Sequence, residues 1–275
     1  MKDAIRRVVQ RTAESHPLVH SITNIITAND CANIILASGG TAIMAQDERE
    51  VGEITAHSAS LALNMGALRA QEAMLLAARE AKRLCHPVVL DPVAAGASRL
   101  RSEMCSRLLA DRLVTVIRGN ASEIHALAVG EARAAGVEVA EPDRVTEGNL
   151  MQSAAFLAAF SRNTHAVVLL SGAIDLVSDG ERTAVLRGGS TLMSRITGTG
   201  CMLTSLTATY CGANPNQIFE AVTAASGVMK VCGTIAERRV REGMEGTASF
   251  RTRLIDAVSL LSAEELADQL HIEFL

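Results

Sequence analysis

Short apolar runs rich in β-branched residues alternate with longer segments rich in Ala and Leu along most of this 275-residue chain. The short runs have the length of buried strands, and the longer segments repeat their apolar residues at the spacing of one helix face. Strands that alternate with helices form a mostly parallel sheet, because each return to a parallel strand needs a crossover. The pattern predicts an α/β fold with helices on both faces of a central sheet.

Eight strands are predicted from the apolar runs, at residues 18–22, 41–45, 61–64, 88–91, 114–118, 166–171, 175–178 and 183–186. The last two flank Asp179 and Gly180, a pair typical of a tight hairpin turn. We therefore expect these two strands to be antiparallel and the others to form the parallel part of the sheet.

Ten helices are predicted, at residues 3–13, 28–37, 70–83, 103–109, 122–128, 150–161, 201–210, 217–239, 252–260 and 263–270. The least patterned stretch, 130–148, is rich in Glu, Ala and Gly and is predicted to be a surface excursion between two helices. It is too short for a linker between domains, so we expect a single domain over residues 1–275.

Composition argues against nucleic acid as a partner. The net charge is -4, no run of Lys or Arg is long enough to neutralise a row of phosphates, and one Tyr, five Phe and no Trp offer little for bases to stack on. An adenine, if bound, is expected to lie between aliphatic groups.

The cysteines and the N-terminus indicate a cytoplasmic protein. Six cysteines are scattered without a CxxC pair, which fits a reducing compartment. The first residues, MKDAIRRVVQRTAESH, are charged and amphipathic and lack the apolar core of a secretory signal. No later stretch approaches an uninterrupted span of about 20 apolar residues, so no membrane segment is expected.

Residues 196–204 read ITGTGCMLT and place two glycines in a turn directly before an apolar helical run. Glycine lets the backbone approach a ligand closely, and the first amides of a helix have no partner within it, so they converge on an anion. The segment predicts an anion hole made by Gly198, Thr199, Gly200 and Cys201. The alternative is that the glycines serve only a tight turn.

Cys201 is predicted to occupy the first helical position, where the helix dipole favours a thiolate over the usual thiol pKa of about 8.5. A thiolate there would accept a proton from a substrate hydroxyl, which makes Cys201 the candidate catalytic base. The alternative is a small, buried, apolar residue.

Two predicted strands end in groups suited to a nucleotide and its metal ion. Asp91 ends the segment PVVLD before a turn, where a carboxylate can hold hydrated Mg²⁺; the alternative is that it caps the turn or the next helix. In VTVIRGNASE, Arg118 leaves a strand end where an ATP phosphate would lie, and Glu123 faces the same crevice. A capping box from Asn120 to Glu123 fits the same spacing, and the two interpretations are compatible.

Three further side chains lie at or just after the ends of predicted strands, at the same edge of the sheet. Ser171, in LLSGAID, is placed to hydrogen-bond a nucleotide phosphate. Asn24, in HSITN, offers a polar anchor for a substrate, and Met44, in AIMA, offers a polarizable apolar wall. Taken alone, Asn24 and Met44 would be core residues.

Taken together, the segments HSITN, LDPVAAGAS, RGNASE and ITGTGC, in this order and across most of the chain, resemble the hydroxyethylthiazole kinase family. The resemblance implies a ribokinase-like three-layer sandwich, and a transferase that uses ATP and Mg²⁺ to phosphorylate 5-(2-hydroxyethyl)-4-methylthiazole for thiamine phosphate synthesis. It also implies a homotrimer with the thiazole pocket at a subunit boundary. The family's GTGC turn replaces the GAGD turn of related sugar kinases, with its Cys at the position of their catalytic Asp.

Residue by residue, the resemblance implies substrate contacts at Met44 and Gly198, with Asn24 as a weaker candidate. It implies ATP contacts at Arg118 and Ser171, and a magnesium side at Asp91 and Glu123. The sequence departs from the family in three places: Ala94 and Ala95 stand where another Gly is common, Ser171 stands where Thr is common, and residues 189–192 lack a His-Pro pair before the GTGC turn.

Three rival functions share the fold or the nucleotide site. One is a kinase for another small alcohol, such as hydroxymethylpyrimidine, against which Cys201 argues only by resemblance. Another is an ATP-consuming hydratase-type enzyme that repairs damaged nicotinamide cofactors, which an Asp at position 201 would favour. A non-catalytic nucleotide-binding regulator is the third, and the intact carboxylates and glycine turn argue against it.

Overall fold

The computed structural model describes residues 1–135 and 144–275. In this part of the chain nine strands form one sheet: β1 (Leu18–Ile22), β2 (Thr41–Ile43), β3 (Ser60–Asn64), β4 (Val88–Asp91), β5 (Val116–Gly119), β6 (Val167–Leu170), β7 (Asp175–Ser178), β8 (Thr183–Arg187) and β9 (His271–Phe274). The strand order is β2-β1-β3-β4-β5-β6-β7-β8-β9. Neighbours from β2 to β6 are parallel, and those from β6 to β9 are antiparallel.

The helices of the described residues are α1 (Lys2–Ser15), α2 (Ala28–Ala37), α3 (Val51–His57), α4 (Gln71–Arg83), α5 (Arg99–Ala110), α6 (Ala121–Ala135), α7 (Leu150–Thr164), α8 (Thr199–Ala213), α9 (Ile218–Glu242), α10 (Thr247–Leu260) and α11 (Ala263–Gln269). They cover the sheet in two layers. One core joins α1, α2, α8, α9 and α10 to one face, and a second core joins α4, α5, α6 and α7 to the other.

The strands show why both faces are covered. In β4, Val89 packs into the first core while Val88 and Leu90 pack into the second, and all three side chains are buried. Successive side chains of a strand point to opposite faces, so a strand that is apolar at every position needs a helical layer on each side. The mostly parallel α/β sandwich is therefore confirmed, as is the antiparallel hairpin of β7 and β8.

Several elements differ from the expectations. Helix α3 and edge strand β9 were missed, and helix α6 continues to Ala135, into the predicted excursion at 130–148. Residues 136–143 of that excursion lie outside the described part of the chain. Helix α9 is long and apolar enough to cross a membrane by length and hydropathy, but 83% of its apolar window is buried inside the protein.

Candidate active site

A row of polar side chains crosses the carboxyl edge of the sheet, one from each of five neighbouring strands. Asn24, after β1, donates to Asn64 at the end of β3 (3.2 Å), and Asn64 donates to Asp91 at the end of β4 (3.0 Å). Arg118, on β5, lies 3.7 Å from Asp91 and donates to Ser171, after β6 (2.6 Å). Ligands of open α/β sheets bind at this edge, so the row forms the floor of the candidate site.

Asp91 is completely buried, and its two carboxylate oxygens are used differently. Oδ2 accepts from Asn64 Nδ2 (3.0 Å) and from Thr204 Oγ1 (2.9 Å), whereas Oδ1 has no hydrogen-bond donor among the described residues. The alternative that Asp91 caps the turn or the next helix is therefore wrong. Burial raises the pKa of Asp91 to about 6, and the nearby Arg118 guanidinium opposes that rise.

The raised pKa of Asp91 predicts a pH-dependent effect of Asp91→Asn on stability. Between pH 3.8 and about 6 the folded protein keeps a proton that the unfolded chain releases, so stability is lost as pH rises through this window. The neutral amide avoids that loss. We expect the metal-free variant to gain up to about 3 kcal/mol over the wild type at pH 7.5 and almost nothing near pH 4.

Urea unfolding in EDTA across this pH range measures the gain. Asp111→Asn is the matched control, because Asp111 carries the same charge but its side chain is 53% exposed. A constant difference between the Asp91 variant and the wild type at every pH would contradict the burial argument.

Arg118 is held beneath the first turn of α8. Its side chain is 11% exposed, Nη2 bonds Ser171, and Nε has no acceptor among the described residues. A Cβ on Gly200 would lie only 2.6 Å from Arg118 Nη1, so position 200 needs glycine for the helix to rest on the guanidinium. A buried cation with an unused donor is suited to an anionic ligand.

The turn before α8 has the geometry of an anion cradle. Gly198 is the N-cap with φ 93°, a left-handed conformation that favours glycine, and a Cβ there would lie 2.9 Å from Thr27 Cγ2. The first bond of the helix runs from Met202 N to Gly198 O (2.8 Å), which leaves the amides of Thr199, Gly200 and Cys201 ahead of it. Their partial positive charge adds to that of Arg118.

Cys201 is the third residue of α8 and not the first, because the helix begins at Thr199. Its sulfur lies 3.2 Å from Asn64 Nδ2 and 3.6 Å from Asn24 Nδ2. Burial and the nearby charge of Asp91 raise the pKa of the Cys201 thiol above its ordinary value. This shift is opposite in direction to the one expected from the helix N-terminus.

Glu123 forms the capping box that was the alternative for this residue. Its Oε2 accepts from Asn120 N (2.9 Å), and Asn120 Oδ1 accepts from Glu123 N (2.9 Å). Its Oε1 accepts from Ala94 N (3.1 Å), which ties the turn after β4 to the start of α6. Ala94 has φ 56°, so this alanine holds a left-handed conformation at a place where the resembled family commonly has glycine.

Met44 lies at the same sheet edge, directly after β2, and is half-buried. Next to it, the His20 ring binds the Ala45 carbonyl through Nε2 (3.0 Å) and Thr55 Oγ1 through Nδ1 (2.8 Å). Because His20 belongs to β1, its ring ties the end of β2 to β1. The described hydrogen bonds do not join Met44 to the row of polar side chains.

The segment between β8 and α8, which lacks the His-Pro pair, has a defined shape. Gly188 and Gly189 have φ values of 116° and 89°, and a short 3-10 helix, Thr191–Arg195, follows. The N-cap Ser190 accepts from Leu192 N (3.0 Å) at the start of that helix. This segment leads directly into the Gly198 turn.

The donors at the sheet edge fit a magnesium ion that is held by few protein ligands. Within residues 1–135 and 144–275, no group of three His, Cys, Asp or Glu side chains could enclose a metal ion. Mg²⁺ usually takes only one or two protein carboxylates, with phosphate oxygens and water as its other ligands. The free Oδ1 of Asp91 fits such a role, whereas both oxygens of Glu123 already accept from backbone amides.

Two residues of the site were missed by the sequence analysis. Asn64 joins Asn24, Asp91 and Cys201, and its signal was available, because it is the last residue of a predicted strand. Thr204 lies one turn into α8, and only the rotation of that helix over the sheet shows that it reaches Asp91.

Comparisons with known proteins cover nearly the whole chain. A sequence model of the hydroxyethylthiazole kinase family matches residues 9–264. Hydroxyethylthiazole kinase from Clostridium acetobutylicum is 41% identical over 271 residues, covering 98% of this chain and 99% of that protein. The chain is also similar to the structure of a hydroxyethylthiazole kinase protein from Pyrococcus horikoshii OT3, with a TM-score of 0.86, 31% identity and complete coverage of both chains.

A more distant likeness concerns the fold alone. The structure of Bacillus subtilis pyridoxal kinase matches with a TM-score of 0.58 at 17% identity, over 79% of this chain and 91% of that one. With the full-length match above, it confirms the predicted ribokinase-like three-layer architecture.

Proposed function

The chain belongs to the hydroxyethylthiazole kinase family, and we propose that it transfers the γ-phosphoryl group of ATP to the primary hydroxyl of 5-(2-hydroxyethyl)-4-methylthiazole. The product is a thiazole phosphate, which a thiamine phosphate synthesis can use. The observation that carries this proposal is the row from Asn24 to Ser171, which lies beneath the open amides of α8.

In the proposed mechanism, the cradle and Arg118 hold the transferred phosphoryl group between ATP and the alcohol. Phosphoryl transfer depends mainly on positioning and on fixed positive charge around the phosphate oxygens. The amides of Thr199, Gly200 and Cys201 supply that charge from one side, and Arg118 with Ser171 supplies it from the nucleotide side. Gly198 and Met44 line the substrate end, with Asn24 as a polar contact for the alcohol.

Asp91 is the residue we propose for magnesium, with Glu123 as a partner through its remaining lone pairs. Mg²⁺, when bound, neutralises phosphate charge. The support is Asp91 Oδ1, which accepts no hydrogen bond from the described residues and faces Arg118 Nη1 at 3.7 Å, so its charge is only partly compensated in the interior. Binding a cation there would also offset the burial that disfavours the carboxylate.

For Cys201 we propose two contributions in place of a resting thiolate. Its backbone amide belongs to the cradle, and its sulfur, which Asn64 and Asn24 contact, lies at the point where the alcohol would enter. The hydroxyl proton leaves late in a loose transition state, so a strong base is not required. A minor role as proton acceptor stays open to this sulfur.

Cys201→Ser tests these two contributions. We expect kcat to remain within about tenfold of the wild type with the same pH profile, because the amide cradle is unchanged. Loss of a true general base would lower kcat further, since such a base typically contributes 10²–10⁴-fold. Steady-state turnover from pH 6 to pH 9 measures both quantities. A fall beyond 10²-fold together with a changed pH profile would return the base role to the thiol.

The substrate is tested by ADP release over a panel of small alcohols. We expect hydroxyethylthiazole to saturate the enzyme at low concentration and hydroxymethylpyrimidine to be inert. Turnover of the pyrimidine alone would support the rival alcohol kinase. ADP release that depends on hydrated nicotinamide cofactor would support the repair enzyme, and nucleotide binding without turnover would support the regulator.

We also propose that the protein is a cytoplasmic homotrimer. Ile25 and Ile26 directly follow Asn24 and are 89% and 73% exposed, an apolar pair beside the substrate end of the site. A neighbouring subunit would cover such a pair and complete the pocket. A solution mass of one chain in sedimentation experiments would argue against the trimer.

A further inference from the structure

Lys230 lies in the middle of α9 and is almost completely buried, with 5% exposure. Its ammonium group donates to the carbonyls of Gly172 (2.7 Å) and Ala173 (3.0 Å) and forms an ion pair with the carboxylate of Asp175 (2.9 Å). A buried ammonium is tolerated only when it is paired and hydrogen-bonded in this way.

Asp175, at the start of β7, completes the network. Its Oδ1 also accepts from Gly172 N (2.9 Å), and its Oδ2 accepts from Ser226 Oγ (2.8 Å). The turn between β6 and β7 thus has one amide and two carbonyls fixed by a charged pair. Backbone groups in such a turn would otherwise be free to rearrange or to bind water.

The same stretch of α9 also binds the chain that follows β8. Thr234 lies one helical turn after Lys230, and its Oγ1 donates to Gly189 O (3.2 Å) and accepts from Gly189 N (3.1 Å). A Cβ on Gly189 would lie 3.3 Å from Lys230 Cδ, so the stem of the lysine packs against this glycine. Helix α9 therefore links the β6–β7 turn to the segment that leads into α8.

The β6–β7 turn begins with Ser171, which accepts from Arg118 Nη2 (2.6 Å). A movement of Gly172 would displace the Ser171 hydroxyl, and the Arg118 guanidinium would lose the contact that orients it beneath Gly200. Lys230 is thus connected to the nucleotide side of the site through a short series of bonded groups, although it does not itself belong to the row at the sheet edge.

We propose that Lys230 is a positioning residue for ATP. Together with Asp175 it fixes the β6–β7 turn and so determines where Ser171 and Arg118 meet the nucleotide phosphates. This inference rests on the proposed function, in which Ser171 and Arg118 contact ATP. Lys230 therefore affects the affinity for ATP and not the affinity for the thiazole alcohol.

The test uses the double variant Lys230→Met and Asp175→Asn. The single lysine variant would leave a buried, unpaired carboxylate and is expected to damage the fold, whereas the double variant removes both charges and keeps an acceptor for Gly172 N. We expect the Kd for ATP in calorimetry and the KM for ATP to rise about tenfold. The KM for the thiazole alcohol and kcat should stay within about twofold.

Asn214→Ala is the matched control for lost stability. Asn214 is also buried, with 2% exposure, and the two hydrogens of its amide nitrogen are shared among three acceptors, Val8 O, Thr12 Oγ1 and Tyr210 O, at the C-terminal end of α8. We expect this variant to lower the melting temperature without changing either KM. A merely structural role of Lys230 would give the same result as this control.

The outcomes separate this inference from the proposed function. If the wild type does not phosphorylate the alcohol, the function fails, while ATP calorimetry on the double variant still tests the lysine. A folded double variant with unchanged ATP affinity overturns the positioning role. A double variant that does not fold overturns it too, because the pair would then serve the whole fold and not the turn.

Discussion

Replacing Asp91 with asparagine is expected to lower kcat/KM for ATP by about 10²–10³-fold, the range found when one fixed electrostatic group is removed from a transition state. The amide keeps the shape of the side chain and an oxygen for Asn64 and Thr204. It loses the negative charge that would hold a cation against the phosphates. The change therefore removes the proposed magnesium contact with little disturbance of the packing.

The measurement is kcat/KM for ATP as a function of Mg²⁺ concentration. We expect the variant to need more Mg²⁺ for half-maximal rate, and we expect Asp111→Asn, with the same loss of charge at an exposed position, to match the wild type. A free energy of unfolding equal to or above that of the wild type at neutral pH, as expected for the Asp91 variant, would exclude unfolding as the cause of its lost activity. Wild-type activity with an unchanged magnesium requirement would remove Asp91 from the metal site.

Strands and helices whose residues have strong local preferences were predictable from the sequence. The bounds of β1 and β4 were predicted exactly, because both are apolar runs that directly follow a proline, Pro17 or Pro87. Strand β9 was missed because it is short and mostly exposed, and only its pairing with β8 makes it a strand. Helix α3 has seven residues and begins Val-Gly, a weak local signal for a helix.

The strand-end residues of the site were predictable for a related reason. Parallel strands end at one edge, so Asn24, Asp91, Arg118 and Ser171 had to lie near one another once the strands were correct. The direction of the pKa shift of Cys201 was not predictable, because it follows from the burial of the thiol and from a carboxylate that lies 110 positions earlier in the chain. Sequence shows a helix N-terminus but not the charge buried opposite to it.

Two side-chain contacts between the sheet and helices α8 and α9 were also not predictable, for a different reason. Thr204 reaches Asp91 and Lys230 reaches Asp175 only because of how each helix is rotated over the sheet. Both helices are buried around much of their surface, so their apolar pattern does not define a single inward face. A buried lysine in such a helix is a signal for a partner, although sequence cannot name that partner.

Gly200→Ala is the second change for which we expect a large loss of activity. The added Cβ would lie 2.6 Å from Nη1 and 3.0 Å from Nη2 of Arg118. That guanidinium is buried, and its hydrogen bond to Ser171 and its ion pair with Asp91 leave it little room to move. Either Arg118 shifts or the first turn of α8 lifts, and in both cases the donors around the phosphoryl group separate.

A displacement of about 1 Å in such a group can cost 10²-fold, so we expect kcat/KM for ATP to fall by about 10²–10³-fold. Overpacking should also lower the free energy of unfolding by about 1–3 kcal/mol. Gly52→Ala is the matched control, because Gly52 is likewise the second residue of its helix, α3, and a Cβ there meets nothing within 4 Å. It should keep full activity and gain up to about 1 kcal/mol of stability. Equal kcat/KM for both variants would show that the contact between Arg118 and the start of α8 does not matter for phosphoryl transfer.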